Sequence, residues 1–329
     1  MNITIRTWAG WLAGAVVAYV AFDGLAHAQD RPAGYPSRPV RLVVTVAAGA
    51  GSDAIARAVG LMLTDAWGQT IVVDNRPGAS GTIAMEVVAK AAPDGYTLLF
   101  QGDTTMLLGA QKRVPFDIRK AYDPIVATST QPYILLTGFS LPVKSIKELI
   151  EYSKTRQLTY AGSSGVGSGV HLGMESFARR SGAKLLYIPY KGSAPSIIGL
   201  MSGEIDMALG SSIAASAAIR TGKVKALATT GEKRIPALPD LPTVAEQGFP
   251  GFKIMNRYNL YAPAGTSHAI VAAANRIVGD GMYSPQMIKR LAADGSQPAE
   301  RMTPAELRKT VAEEYAEVEQ MVKQLNLKL

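Results

Sequence analysis

Four glycines and three serines fall within the eight residues Gly162–Gly169, between an apolar stretch at Leu158–Ala161 and a helical pattern beginning near His171. Such a loop offers backbone N–H groups and hydroxyls. The helix start behind it adds about half a positive charge, so an anion can be held without a cationic side chain. The same residues carry a second reading. Ala161-Gly162-Ser163-Ser164-Gly165 has the A-x-S-x-G form of some lipase nucleophile elbows, which also sit between a strand and a helix. Asp206 or Asp240 followed by His268 would complete the Ser–Asp–His order of a secreted serine hydrolase built on Ser163, although no HG-type oxyanion motif precedes it.

Other chemistries have less support. No G-x-x-x-x-G-K-[ST] is present, and Gly165-x-Gly167-x-x-Val170 lacks the last small residue of a dinucleotide fingerprint. Beyond the N-terminal segment the histidines are His171 and His268, in no H-x-x-x-H or H-E-x-x-H arrangement, and there is no cysteine. Neither a metal nor a cofactor is expected. Asp53 and Asp103 could face each other as paired carboxylates; they read more simply as a first-turn helix residue and a turn residue.

The elements that position these residues alternate. Val40–Val46 is a strand pattern that enters Ala47–Asp53, followed by a helix to Trp67. Strands at Ile71–Val73 and Tyr96–Phe100 flank a helix over Gly81–Ala92, and the second of them opens into Gln101–Thr105. Further strands are predicted at Ile134–Thr137, Leu158–Ala161, Leu185–Pro189, Ile205–Leu209, Val224–Thr229 and Asn259–Ala262. Most lead through a small or polar loop into a helix. Ser145–Glu148, Thr243–Glu246 and Thr303–Glu306 are capping boxes. This pattern predicts α/β units with largely parallel sheets, whose ligands sit beyond the carboxyl ends of the strands.

Composition narrows the class. The 329 residues are 47% hydrophobic and 18% charged, enough for two domains with their own cores. The net charge of +8 comes from scattered basic residues, with no stripe to track phosphates, so nucleic acid is not expected as a partner. Arg6, the apolar run Trp8–Phe22 and Ala26-His27-Ala28 read as a cleavable signal peptide over residues 1–28, which implies export to the periplasm. A retained membrane anchor is the alternative.

Several longer stretches resemble one family. They are Tyr35–Arg41 (YPSRPVR), Val73–Ala79 (VDNRPGA), Lys90–Leu99 (KAAPDGYTLL), Ile188–Pro195 (IPYKGSAP), Ala237–Glu246 (ALPDLPTVAE) and Ala262–Thr266 (APAGT). Together with His171-Leu172 and Glu175 they are similar to the substrate-binding receptors of tripartite tricarboxylate transporters, the TctC or Bug family, in the family's order along the chain. The resemblance implies a two-domain, type II-like periplasmic binding protein (a Venus flytrap) with a ligand cleft between its α/β domains. It divides the chain into residues 35–132 plus 260–329 and residues 133–259. It implies a non-enzymatic, monomeric receptor that takes a small organic carboxylate and passes it to membrane permease subunits. A sensor subunit serving a signalling partner would share the fold.

By the same resemblance, the ligand contacts would come from Ala48, Gly49, Gly51, Ser52 and Asp53, from Gly102, Thr104 and Thr105, and from Ser163, Ser164, Gly165, Gly167 and Ser168. Lys191, Gly192 and Ser211 would complete them, with Lys191 equally readable as a solvated turn residue. Three departures from the family's pattern bear on the ligand. The first loop lacks the usual aromatic residue and proline. Gly210 stands where an aspartate is common, which argues against an amino acid. Arg257 stands where tryptophan is common, and would either pair with a second ligand carboxylate or sit in a structural ion pair.

Overall fold

A computed structural model describes residues 32–48, 51–78, 81–102, 109, 114–162, 168–190, 193–236, 238–293 and 295–325. The expected signal peptide lies outside them, as do Gly49, Thr104, Thr105, Ser163, Ser164, Gly165, Gly167, Lys191 and Gly192.

The strands are β1 (Val40–Val44), β2 (Ile71–Asn75), β3 (Thr97–Gly102), β4 (Tyr122–Gly138), β5 (Leu158–Ala161), β6 (Leu185–Tyr187), β7 (Met207–Ser211), β8 (Val224–Thr229), β9 (Met255–Pro263) and β10 (Gln297–Pro298). The helices are α1 (Gly51–Trp67), α2 (Thr82–Ala89), α3 (Ile118–Ala121), α4 (Ile146–Thr155), α5 (Gly169–Ser181), α6 (Ser193–Ser202), α7 (Ser212–Ile219), α8 (His268–Met282), α9 (Pro285–Ala293) and α10 (Pro304–Leu325).

The sheet order is β2-β1-β3-β9-β4-β7-β5-β6, with β8 and β10 also on β4. The β2-β1-β3 and β7-β5-β6 groups are parallel, as the strand–helix alternation predicts. The long strands β4 and β9 run antiparallel between them. Both exceed the predicted lengths. The first half of β4 contains Pro124 and a run of polar residues that reads as loop; register shifts at Pro124/Val126 and Ala127/Ser129 absorb the mismatch.

Each end of this sheet is covered on both faces. At the β1 end, α1, α8 and α9 bury one face around Leu42, Phe100 and Trp67. There α2, α3 and α10 bury the other around Met85, Tyr261 and Leu307. At the β5 end, α4 and α5 pack against Tyr160 and Met207, and α6 and α7 against Ile134 and Ala208. Burying a side chain such as Leu42 or Phe100 contributes roughly 1.5–3 kcal/mol. Interiors of this kind make each end a rigid mount for its loops.

The capping boxes form, with differences. Thr303 and Glu306 exchange both hydrogen bonds at 2.8 and 3.2 Å. Ser145 caps Glu148, but the Glu148 carboxylate accepts from Lys144 N–H instead. Thr243 and Glu246 also make both bonds, at 2.8 and 3.0 Å. The short helix expected there does not propagate: turns with i+3 bonds run to Gly248, whose φ of 103° ends them before Pro250.

Candidate functional site

Strand direction alone creates a gap between two sets of loops. β4 runs parallel to β3, because both are antiparallel to β9. Beyond its midpoint β4 is paired with β7, which runs the opposite way and is parallel to β5. The carboxyl ends of β1 and β3 therefore point toward those of β5 and β7. Gly102, the last residue of β3, lines up through Tyr258 with Ser129; Ser211, the last of β7, lines up with Tyr133. Four residues of strand at about 3.3 Å each separate the two sets of ends by roughly 13 Å, the scale of a small molecule.

Helix starts border this gap. α1 follows β1, α5 follows β5, α6 follows β6 and α7 follows β7. Their free N–H groups suit an anion. Ser168 caps α5, its Oγ accepting from His171 N at 3.2 Å. Gly162 is required by close approach: a Cβ there would lie 2.5 Å from Val170 Cγ1, so only a bare α-carbon lets α5 start this close to β5.

The predicted residues divide by what already holds them. Asp53 is buried. Its two oxygens accept from Arg57 Nε and Asn75 Nδ2, each at 2.9 Å, which ties the first turn of α1 to the end of β2. Ser52 is also buried, whereas Ala48 is exposed in the turn that follows β1. Gly102 lies under the Asn256 carboxamide, whose Oδ1 would be 2.7 Å from a Cβ at that position. Ser211 precedes α7, and its N–H points to Ser193 Oγ at 3.4 Å. Gly210 faces inward; a Cβ there would meet Ile197 Cδ1 at 2.7 Å.

Arg257 shares a sheet face with Asn259 and Tyr261, turned toward α10. Its Nη1 and Nη2 bond Glu314 Oε1 and Oε2 at 2.9 and 2.7 Å, and its Nε bonds Asn259 Oδ1 at 3.2 Å.

At the start of α5 stands an aromatic group in which Tyr160 and His171 are buried and Tyr187 is half-buried. His171 stacks on Tyr187 with ring centroids 4.2 Å apart. Tyr160 donates to Glu175 Oε1 at 2.9 Å. Burial pushes the Tyr187 hydroxyl up to about 12, and desolvation holds His171 below the ordinary imidazole value, partly opposed by Glu175. The His171 and Tyr187 side chains are therefore uncharged near pH 7.

Sequence reasoning missed Thr230. Its Oγ1 accepts from Tyr133 N at 2.9 Å and donates to Ile254 O at 2.6 Å, joining three chain segments beside the middle of β4. A lone threonine at a strand end carries no sequence signal for that role. Among the described residues no cluster of His, Asp and Glu could hold a metal, and no helix is long and apolar enough to cross a membrane. A hollow of about 280 Å³ lies between α8, the start of α10 and β4 at Val126 and Ala127, and its lining charges Asp280 and Arg301 are paired at 2.6 Å.

The model of the tripartite tricarboxylate transporter family receptors, TctC, matches residues 55–327. The chain belongs to this family. Three solved structures are similar to it. Periplasmic binding protein BugD is 32% identical, with a TM-score of 0.71, covering 88% of this chain and 98% of that one. Rpa4515 of R. palustris, solved with adipate, is 32% identical with a TM-score of 0.75, covering 88% and 97%. MatC of Rhodopseudomonas palustris, solved with bound malate, is 30% identical with a TM-score of 0.72, covering 88% and 100%. The α/β periplasmic binding protein fold expected from the TctC resemblance is the fold observed. The chain is a solute-binding receptor of the TctC family.

Proposed function

We propose that this receptor captures a small organic carboxylate between two lobes and delivers it to a tripartite tricarboxylate-type permease in the membrane. The lobes are residues 35–132 with 260–329, and residues 133–259. The observation that carries the reading is the facing of the β1/β3 ends and the β5/β7 ends, each with helix N-termini behind Gly- and Ser-rich loops. Backbone N–H groups there are donors suited to a carboxylate. The adipate and malate bound by two relatives support the same ligand class.

The contacts are assigned to Ala48, Gly49, Gly51 and Ser52 on one side and to Ser163, Ser164, Gly165, Gly167 and Ser211 on the other. Further contacts are assigned to Gly102, Thr104, Thr105, Lys191 and Gly192. Asp53 and Ser168 support the site through the partners already described, and Arg257 is assigned to its ion pair with Glu314. Residues 1–28 direct export to the periplasm and are cleaved in the process, which leaves Gln29 as the mature N-terminus.

Calorimetry and thermal shift with a panel of C4 to C6 mono-, di- and hydroxy-carboxylates test the assignment. One-to-one binding without turnover is expected. If no acid binds, while an ester is hydrolysed by the wild type but not by Ser163→Ala, the receptor reading is wrong.

A further inference from the structure

Gly295 and Ser212 belong to opposite ends of the sheet, yet they touch. Gly295 follows α9, whose Met287 and Leu291 are buried in the core around Leu42. Ser212 opens α7, whose Ala215 and Ala218 are buried in the core around Ile134. β4 brings the two together. Gln297 pairs with Thr130 and Ser211 with Tyr133, so the segments arrive from either side of Gln131–Pro132.

The approach is closer than any side chain at 295 permits. A Cβ at Gly295 would stand 2.2 Å from Ser212 Oγ and 2.3 Å from Ser212 Cβ; the next atom, Ser212 Cα, is at 3.8 Å. Glycine is also favoured locally. Its φ is +75°, and Ser296 N–H to Leu291 O at 2.9 Å with Gly295 N–H to Ala292 O at 3.2 Å closes a Schellman cap on α9. Asparagine tolerates that backbone conformation, but its Cβ meets Ser212 all the same. Ser212 Oγ is shut off from solvent and has no hydrogen-bond partner among the described residues.

We propose that this contact is the stop for lobe closure. The bare α-carbon of Gly295 lets the first lobe seat against the start of α7, and so fixes how far the Ser211 end of β7 stands from the loops after β1 and β3. Gly295 and Ser212 are positioning residues; neither contacts the ligand. The inference rests on the reading that closure traps the ligand.

The test uses the mature chain and four variants: Gly295→Ala, Gly295→Asn, Ser212→Gly, and Gly295→Ala combined with Ser212→Gly. Malate and adipate are the probes for calorimetry, and small-angle scattering reports lobe separation. Gly295→Ala and Gly295→Asn should each weaken binding by about ten-fold or more and enlarge the radius of gyration. Adding Ser212→Gly leaves only the 3.8 Å neighbour, so it should restore affinity to within about three-fold of wild type. The fall in Tm caused by a non-glycine residue at positive φ should remain. Wild-type affinity in Gly295→Ala, or a loss that Ser212→Gly does not repair, overturns the proposal. If the wild type binds neither acid, the ligand assignment fails by itself. Scattering from the unliganded proteins then decides: expansion by Gly295→Ala and its reversal in the double variant support the stop, and equal radii overturn it.

Discussion

Arg257 on β9 and Glu314 on α10 form a two-pronged ion pair, Nη1 to Oε1 at 2.9 Å and Nη2 to Oε2 at 2.7 Å. The Arg257 side chain is 10% exposed and that of Glu314 41%, so the pair is anchored on its cationic side. Removing the acid leaves a buried cation short of acceptors. Glu314→Ala should lower stability by about 1–3 kcal/mol. Arg257→Lys keeps the charge but not the planar fork, and should also lower Tm. Ligand affinity should hold within experimental error in both variants. Calorimetry showing that Arg257→Lys impairs binding more than stability would instead place Arg257 on the ligand.

His171 makes stability depend on pH. Burial holds its folded-state pKa below the ordinary value of about 6.5. Near that pH the unfolded chain takes up a proton that the folded chain refuses. The contribution is therefore complete above pH ~7 and shrinks as pH falls, until the folded pKa is reached. The slope cannot exceed about 1.4 kcal/mol per pH unit for one proton. Thermal melts from about pH 8 to about pH 5 should fall more steeply for the wild type than for His171→Asn, which has nothing to titrate there. Parallel curves would remove His171 from the account.

Gly162 sets the entry to the α5 loop. With a Cβ 2.5 Å from Val170 Cγ1, Gly162→Ala must push the start of α5 away from β5. The expected cost is about 1–3 kcal/mol, with weaker carboxylate binding because the helix end moves. Val170→Ala in the same chain removes the obstructing methyl groups. It should recover part of the affinity even if Tm stays low; an affinity unchanged by Gly162→Ala would show that the loop tolerates the displacement.

Thr230 holds the middle of the molecule. Thr230→Val keeps the shape but leaves Tyr133 N–H and Ile254 O without the hydroxyl that joins them. A loss of about 1–3 kcal/mol is expected in thermal melts. Hydrogen exchange should quicken at Tyr133, within the strand β4 that links the two ends of the sheet. Unchanged protection there would argue that the backbone bond from Thr230 N to Tyr133 O at 2.9 Å suffices.

Much of the local architecture was readable from the residues. The β1–α1 and β5–α5 units, the glycine- and serine-rich loops at strand ends and the box at Thr303–Glu306 depend on neighbours a few positions apart, which a sequence displays directly. β4 was half hidden, because proline and polar residues in Tyr122–Pro132 look like loop until β9 supplies the partner that makes them a strand. The site was readable as a set of loops but not as a set of contacts. Nothing near Asp53 in sequence announces Asn75, and nothing near Arg257 announces Glu314.

The sequence by itself determined the alternation of strand, small-residue loop and helix, and with it loops able to hold an anion. Only the tertiary structure decided that two sets of strand ends face each other across Ser129–Tyr133, that Arg257 is occupied by Glu314, and that Gly295 meets Ser212. The reason is physical. Helix starts and turns are specified by local hydrogen bonds and backbone preferences, whereas these relationships pass through β4, whose pairing joins residues far apart in the chain and is fixed only when both lobes have packed.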